Sequence, residues 1–131
     1  MTARFVYGTY TLADQRARQA DAAPLYMYQL MYESDANGGI LRSPHTLDIP
    51  FMFDNVEESR VLVGSGEGPV ILGEMMSDAW VSFARTGVPT SDLLPEWTPY
   101  NLEDRPVMQF DVEPAMVNDP EGGMREILSA N

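Results

Sequence analysis

The chemistry open to these 131 residues is narrow: one histidine, eight basic residues that are all arginine, twenty carboxylates and no cysteine. Thiol nucleophiles, disulfides and thiolate metal sites are excluded by composition. Every imidazole-based possibility rests on His45, as a general base or as a metal ligand. It follows an apolar segment and a glycine-rich turn, and loops beyond a strand's end are where catalytic groups are displayed. A metal site would have to combine His45 with Asp48, Asp54, Glu57 or Glu58. One nitrogen ligand with scattered carboxylates matches no metal-binding spacing, and an acidic loop is ordinarily solvated, so neither metal nor cofactor is expected.

A histidine base needs a nucleophile, and none is marked. The elbow pattern Gly-x-Ser-x-Gly occurs nowhere in the chain. Gly64-Ser65-Gly66-Glu67-Gly68 comes near it, but its glycines stand at −1, +1 and +3 from Ser65. The run is also too short for a phosphate-binding loop, which further requires a lysine. It reads as a flexible turn. Paired acids such as Glu57-Glu58 have no partner pattern that would raise one pKa for acid–base work.

The elements that must position His45 are legible from period and punctuation. Thr9 to Ala23 is rich in helix formers, with Leu12, Ala13, Arg16, Ala17 and Ala20 at helical spacing, and Pro24 stops it. Leu25 to Tyr32 is almost wholly apolar and predicts a central strand buried on both faces. Ser34 to Pro44, with Asn37-Gly38-Gly39, is turn chemistry. Pro50 keeps the apolar run around it from being a regular central strand. Val56 to Pro69 reads as a surface loop. Val70 to Thr86 is the clearest helix, with Leu72, Met75, Met76, Ala79, Trp80 and Phe83 in one stripe and Gly87 at the C-cap. Pro95 to Tyr100 is a rigid aromatic connector and Val107 to Asp111 a short strand. Asp119-Pro120-Glu121 supplies an N-cap and an N1 proline for a last helix through Leu128.

Length predicts one folding unit over residues 1–131 with no internal boundary. The formal charge of −12 argues against nucleic acid and against anionic membrane surfaces. No apolar run reaches the roughly 20 residues of a membrane span, and the first residues lack a signal-peptide core, so the default expectation is cytoplasmic. A strand of the buried type needs more neighbours than the other segments provide, which points to self-association or to a missing companion segment.

Ser43-Pro44-His45-Thr46-Leu47-Asp48-Ile49-Pro50-Phe51-Met52-Phe53-Asp54-Asn55 resembles the histidine motif of the type B carboxylesterases, the family of para-nitrobenzyl esterases and cholinesterases. Further segments match in family order: Pro24 to Tyr32 as the strand before the histidine, Met76 to Pro89 as the late helix, then Pro95 to Tyr100, Val107 to Asp111 and the Asn118-Asp119-Pro120 tail. The resemblance implies the C-terminal part of an α/β-hydrolase fold: strand, histidine loop, long helix, final strand and short helix. It implies that His45 is the catalytic histidine of a Ser-His-acid mechanism on a small-molecule ester, without a cofactor. Asp48 matches an acid three positions on and implies a loop-structuring group, with the triad acid supplied from elsewhere. Thr46 departs from a common glycine, and Met52 from a common valine. The nucleophile elbow, oxyanion glycines and triad acid of such enzymes lie upstream of the matching region, so the expectation is an esterase segment inactive alone. The other reading is an esterase-like binding module without catalysis.

Overall fold

A computed structural model describes residues 3–129 of the chain. Three strands form one mixed sheet in the order β1 (Tyr28–Leu30), β2 (Pro106–Phe110), β3 (Ala115–Asn118). β1 and β2 are parallel, with Tyr28 opposite Met108 and Leu30 opposite Phe110. β2 and β3 are antiparallel, with Val107 opposite Val117. Parallel neighbours require a long crossover, and here it carries α2 (Asp48–Met52), α3 (Arg60–Val63) and α4 (Gly68–Thr86).

Strand alternation then divides the interior into two layers of packing. Met108 and Phe110 of β2 point into a core with Leu47, Phe51, Val63, Leu72, Met75, Met76, Ala79 and Trp97. Val107 points the other way, into a smaller cluster with Met27, Tyr100, Tyr10 and Ala13, the last two from α1 (Ala3–Ala17). β2 is therefore the buried central strand. The expectation of a long central strand over Leu25 to Tyr32 is corrected: β1 has three residues and, among the described residues, pairs with β2 alone. Its apolar run still buries on both sides, Met27 beneath α1 and Tyr28 and Leu30 against the larger core.

The helix read from Val70 to Thr86 begins two residues earlier, with Pro69 in its first turn, where no hydrogen bond is lost. It ends as predicted: Gly87 is left-handed at φ 79° and its N–H returns to the Phe83 carbonyl at 2.8 Å. Leu72, Met75, Met76 and Ala79 are fully buried, whereas Phe83 lies at the rim, edge-on to Tyr26 at 6.0 Å. On the same helix, a Cβ at Gly73 would come within 2.8 Å of Val56, so this glycine permits close approach of the segment after α2.

Three further expectations are corrected. α1 runs from Ala3 to Ala17 and not from Thr9 to Ala23. Its hydrogen bonding tightens at Gln19, whose N–H reaches Arg16, and the chain turns through left-handed Asp21 so that Leu25 can accept the Tyr100 N–H at 2.7 Å. The supposed loop from Val56 to Pro69 is half helical and anchored by Val56 and Val63, both buried. The last helix, α5 (Gly122–Ser129), starts after Pro120, because Asp119 takes a left-handed conformation and its carboxylate pairs with Arg125 at 2.6 Å.

Two polar ties hold the outer layer. The Tyr100 hydroxyl donates to Asp14 at 2.7 Å, and Arg105 reaches the same carboxylate at 3.3 Å. Burial pushes the Asp14 pKa up, but the hydrogen bonds from Tyr100 and Arg105 and the charge of Arg105 outweigh it, leaving Asp14 below the usual range. Burial, then the bond to Asp14, drives Tyr100 up, and burial beside Asp119 and Glu121 pushes Tyr10 up to about 12.

The signs of these shifts set the pH dependence of stability. Asp14 stabilises above its unfolded pKa of about 4 and loses that contribution as the solution is acidified through its lower folded value. Tyr10 and Tyr100 contribute fully below about pH 10 and lose it as pH rises toward their folded values. Urea midpoints should be flat from about pH 5 to 9 and fall on both sides. Tyr100→Phe should flatten the alkaline limb. At neutral pH, Ala79→Asp should cost about 3–5 kcal/mol by leaving an uncompensated charge in the core; an unchanged urea midpoint would contradict the packing of α4.

Candidate active site

The path from β1 to His45 is a sequence of enforced turns. Ser34 N–H bonds the Arg42 carbonyl at 2.9 Å, closing a loop whose bend is made by Asn37, Gly38 and Gly39, all at positive φ. The chain then turns again between Pro44 and Leu47, with the Leu47 N–H on the Pro44 carbonyl at 3.2 Å. His45 and Thr46 occupy the central positions of this second turn. Thr46 has φ +73°, the value that the third residue of a type II turn needs and that glycine adopts most readily. A β-branched residue there is an outlier.

His45 is exposed on this turn, and among the described residues its ring makes no hydrogen bond or ion pair. On its C-terminal side Leu47 is buried at 1% exposure and Phe51 at 0%, so the turn is anchored by the helix after it. Asp48 opens α2, and its carboxylate accepts a hydrogen bond from the Tyr28 hydroxyl at 2.8 Å. Tyr28 is held over the core by edge-on contacts with Trp80 at 5.1 Å and Phe110 at 6.0 Å. Burial, the bond to Asp48 and that carboxylate's charge push the Tyr28 hydroxyl well above the ordinary tyrosine range. Tyr28 therefore stays protonated as a donor, and Asp48 braces the loop against β1.

Asp54, Glu57 and Glu58 are not gathered with His45. Among the described residues no group of three histidine, cysteine or acidic side chains is placed to hold a metal ion. Glu57 instead pairs with Arg60. Met52 is half-buried against the main core.

The glycine run is tied by side-chain hydrogen bonds. Asp35 accepts from the Ser65 N–H at 2.8 Å and from the Ser65 hydroxyl at 2.5 Å, and these two bonds hold its pKa low. Arg60 donates to the carbonyls of Gly64 at 3.3 Å and Gly66 at 3.0 Å. Ser65 thus has a carboxylate neighbour and no histidine, which is a structural pairing and not an activated nucleophile. Residue type and spacing do not mark Tyr28 or Asp35 as shaping the site. Thr46 alone leaves a signal, as the position where the resembling motif carries glycine.

The strand, histidine turn, long helix and central strand are the C-terminal elements of an α/β-hydrolase. The sequence profile of the carboxylesterase family matches residues 2–126, and the chain belongs to that family. It is 31% identical over 112 residues to the phenmedipham hydrolase of Pseudarthrobacter oxydans, covering 82% of this chain and 22% of the relative. It is 31% identical over 102 residues to the acylcarnitine hydrolase of Mus musculus, covering 75% of this chain and 18% of that one. Among solved structures, a Geobacillus stearothermophilus carboxylesterase superposes with a TM-score of 0.77 at 33% identity, over 92% of this chain and 25% of that one. A para-nitrobenzyl esterase matches with a TM-score of 0.74 at 26% identity, over 91% and 23%. The chain spans about a fifth to a quarter of the length of the relatives it matches.

The loop beside the histidine segment gives a direct test. Gly64 has φ +91°, and a Cβ there would fall 2.0 Å from the Asp35 carboxylate and 3.1 Å from Ser34 Oγ. Gly64→Ala should therefore destabilise by about 1–3 kcal/mol, combining backbone strain with overpacking. Adding Asp35→Ala should relieve the 2.0 Å clash without restoring parental stability, because the strained φ and the 3.1 Å approach to Ser34 Oγ persist and the two bonds to Ser65 are lost. Equal urea midpoints for Gly64→Ala and the parent would show that the two segments are not packed in this way.

Proposed function

We propose that this chain is the histidine-bearing C-terminal segment of a carboxylic-ester hydrolase. The observation that carries the reading is the position of His45: exposed, at the tip of an anchored turn beyond β1, within the stretch that resembles the family's histidine motif. In that role the imidazole accepts the serine proton as the hydroxyl attacks the ester carbonyl, then donates it to the leaving alcohol. The serine, the oxyanion donors and the orienting carboxylate come from an upstream esterase segment. That segment is also the partner that suits the side of β1 left unpaired among the described residues, and the exposed apolar groups Ile49 on α2 and Phe53 just after it, the latter 74% exposed.

Alone, the chain should not hydrolyse esters by this mechanism. A general base contributes about 10²–10⁴-fold, and a single oxyanion donor is worth roughly 3 kcal/mol in addition. Activated-ester turnover by the purified chain should stay near that of free imidazole, and a phosphonate probe should label no serine. Labelled serine with activity lost in His45→Ala would place a complete site inside these residues and overturn the proposal. The positive arm is a graft of this chain in place of the matching quarter of the Geobacillus stearothermophilus carboxylesterase. A folded graft should be active with His45 and lose at least about 10³-fold in kcat as His45→Ala; equal activity of the two would remove His45 from the mechanism.

A further inference from the structure

We propose that Thr46, Tyr28 and Asp48 are positioning residues for His45: a strained left-handed residue aims the imidazole outward, and the Tyr28–Asp48 hydrogen bond holds it in that conformation. The proposal rests on the reading of His45 as the base, but it concerns only how the turn is held. Left-handed backbone at a residue with a branched Cβ is disfavoured by roughly 5- to 30-fold relative to right-handed or extended backbone. Thr46 stands at φ +73°, so its surroundings must over-determine it. Two anchors do so. Leu47, the next residue, is almost fully buried, and its N–H closes the turn on the Pro44 carbonyl. One residue further, Asp48 is tied across to the Tyr28 hydroxyl at 2.8 Å.

The geometry explains why the second anchor matters. Relaxation of Thr46 to negative φ would flip the peptide plane between His45 and Thr46. Unless His45 ψ rotated with it, Leu47 would leave the core and Asp48 would release Tyr28, so the two anchors couple the Thr46 backbone to that of His45. Tyr28 in turn is fixed by Trp80 and Phe110 and cannot swing with the loop. The direction of His45 is thereby referred to β1 and α4, the rigid part of the fold, and not to the loop itself. Asp48 acts on the turn through Tyr28 and makes no hydrogen bond to His45.

The test uses the isotopically labelled chain, in which the lone histidine gives unambiguous ring signals. Tyr28→Phe removes the donor while keeping shape, and Asp48→Ala removes the acceptor. Each should move residue 46 toward negative φ in backbone couplings and shifts, displace the His45 ring resonances, and speed Leu47 amide exchange by roughly 2- to 10-fold, the worth of one hydrogen bond. Thr46→Gly, added to either variant, should restore positive φ and Leu47 protection, because glycine needs no anchor to remain left-handed. A bond that serves stability alone would lower the urea midpoint while residue 46 stayed left-handed and the His45 signals stayed in place; that outcome, or failure of Thr46→Gly to rescue, would overturn the proposal. No arm measures ester turnover, so the result stands apart from that of the graft.

Discussion

Strand β2 has to be covered on two faces and paired on two edges, and the rest of the fold derives from meeting that demand. Met108 and Phe110 require an apolar layer on one side, which α4 and the His45-bearing crossover provide. Val107 requires a second layer, which α1 and Tyr100 provide. β1 and β3 supply the two edges. A strand so placed cannot shift register, since a slip of one residue would exchange its two faces. β1 inherits that rigidity through the parallel ladder, and Tyr28 carries it to the loop that presents His45.

The candidate site is thus built on the sheet by polar ties at its margin and apolar anchors beneath. Arg60, Asp35 and Ser65 tie the loop before the turn to the segment after α3, while Tyr28 and Asp48 tie the residues after the turn to β1. The carboxylates in these ties are already committed to donors, whereas among the described residues the exposed His45 ring makes no hydrogen bond or ion pair. In the proposed function, that open ring is the group that serves the serine hydroxyl and the leaving alcohol.

Much of this arrangement is legible in the residues. The α4 stripe, its Gly87 cap and the short strand at Val107 come from periodicity and cap chemistry, which are local signals. Fold class comes from the resemblance of several ordered motifs. Other features are hidden because they depend on distant partners. Nothing local separates β1 as an edge from β2 as the centre, since both are apolar; only the pairing order decides. The Val56–Pro69 segment looks polar because its glycines and acids outnumber Val56 and Val63, yet those two valines fix it to the core. The ties Tyr28–Asp48 and Asp35–Ser65 join residues 20 and 30 positions apart, beyond the reach of any turn rule. Thr46 shows the converse: a local conformation that its own residue type argues against is imposed by Leu47 and Asp48, the two anchored residues after it.

The parallel ladder also bears on how the chain is made. Gln29 and Gln109, 80 positions apart, face each other across β1 and β2, and their amides are hydrogen-bonded at 3.0 Å. During synthesis at about 5–20 residues per second, β1 emerges several seconds before the strand that pairs with it. Over that interval the edge of β1 that β2 will pair stays open, with a left-handed turn beside it. Contacts of such long range form slowly, so the nascent chain depends on α4 and its Trp80 to shelter β1 until translation delivers β2.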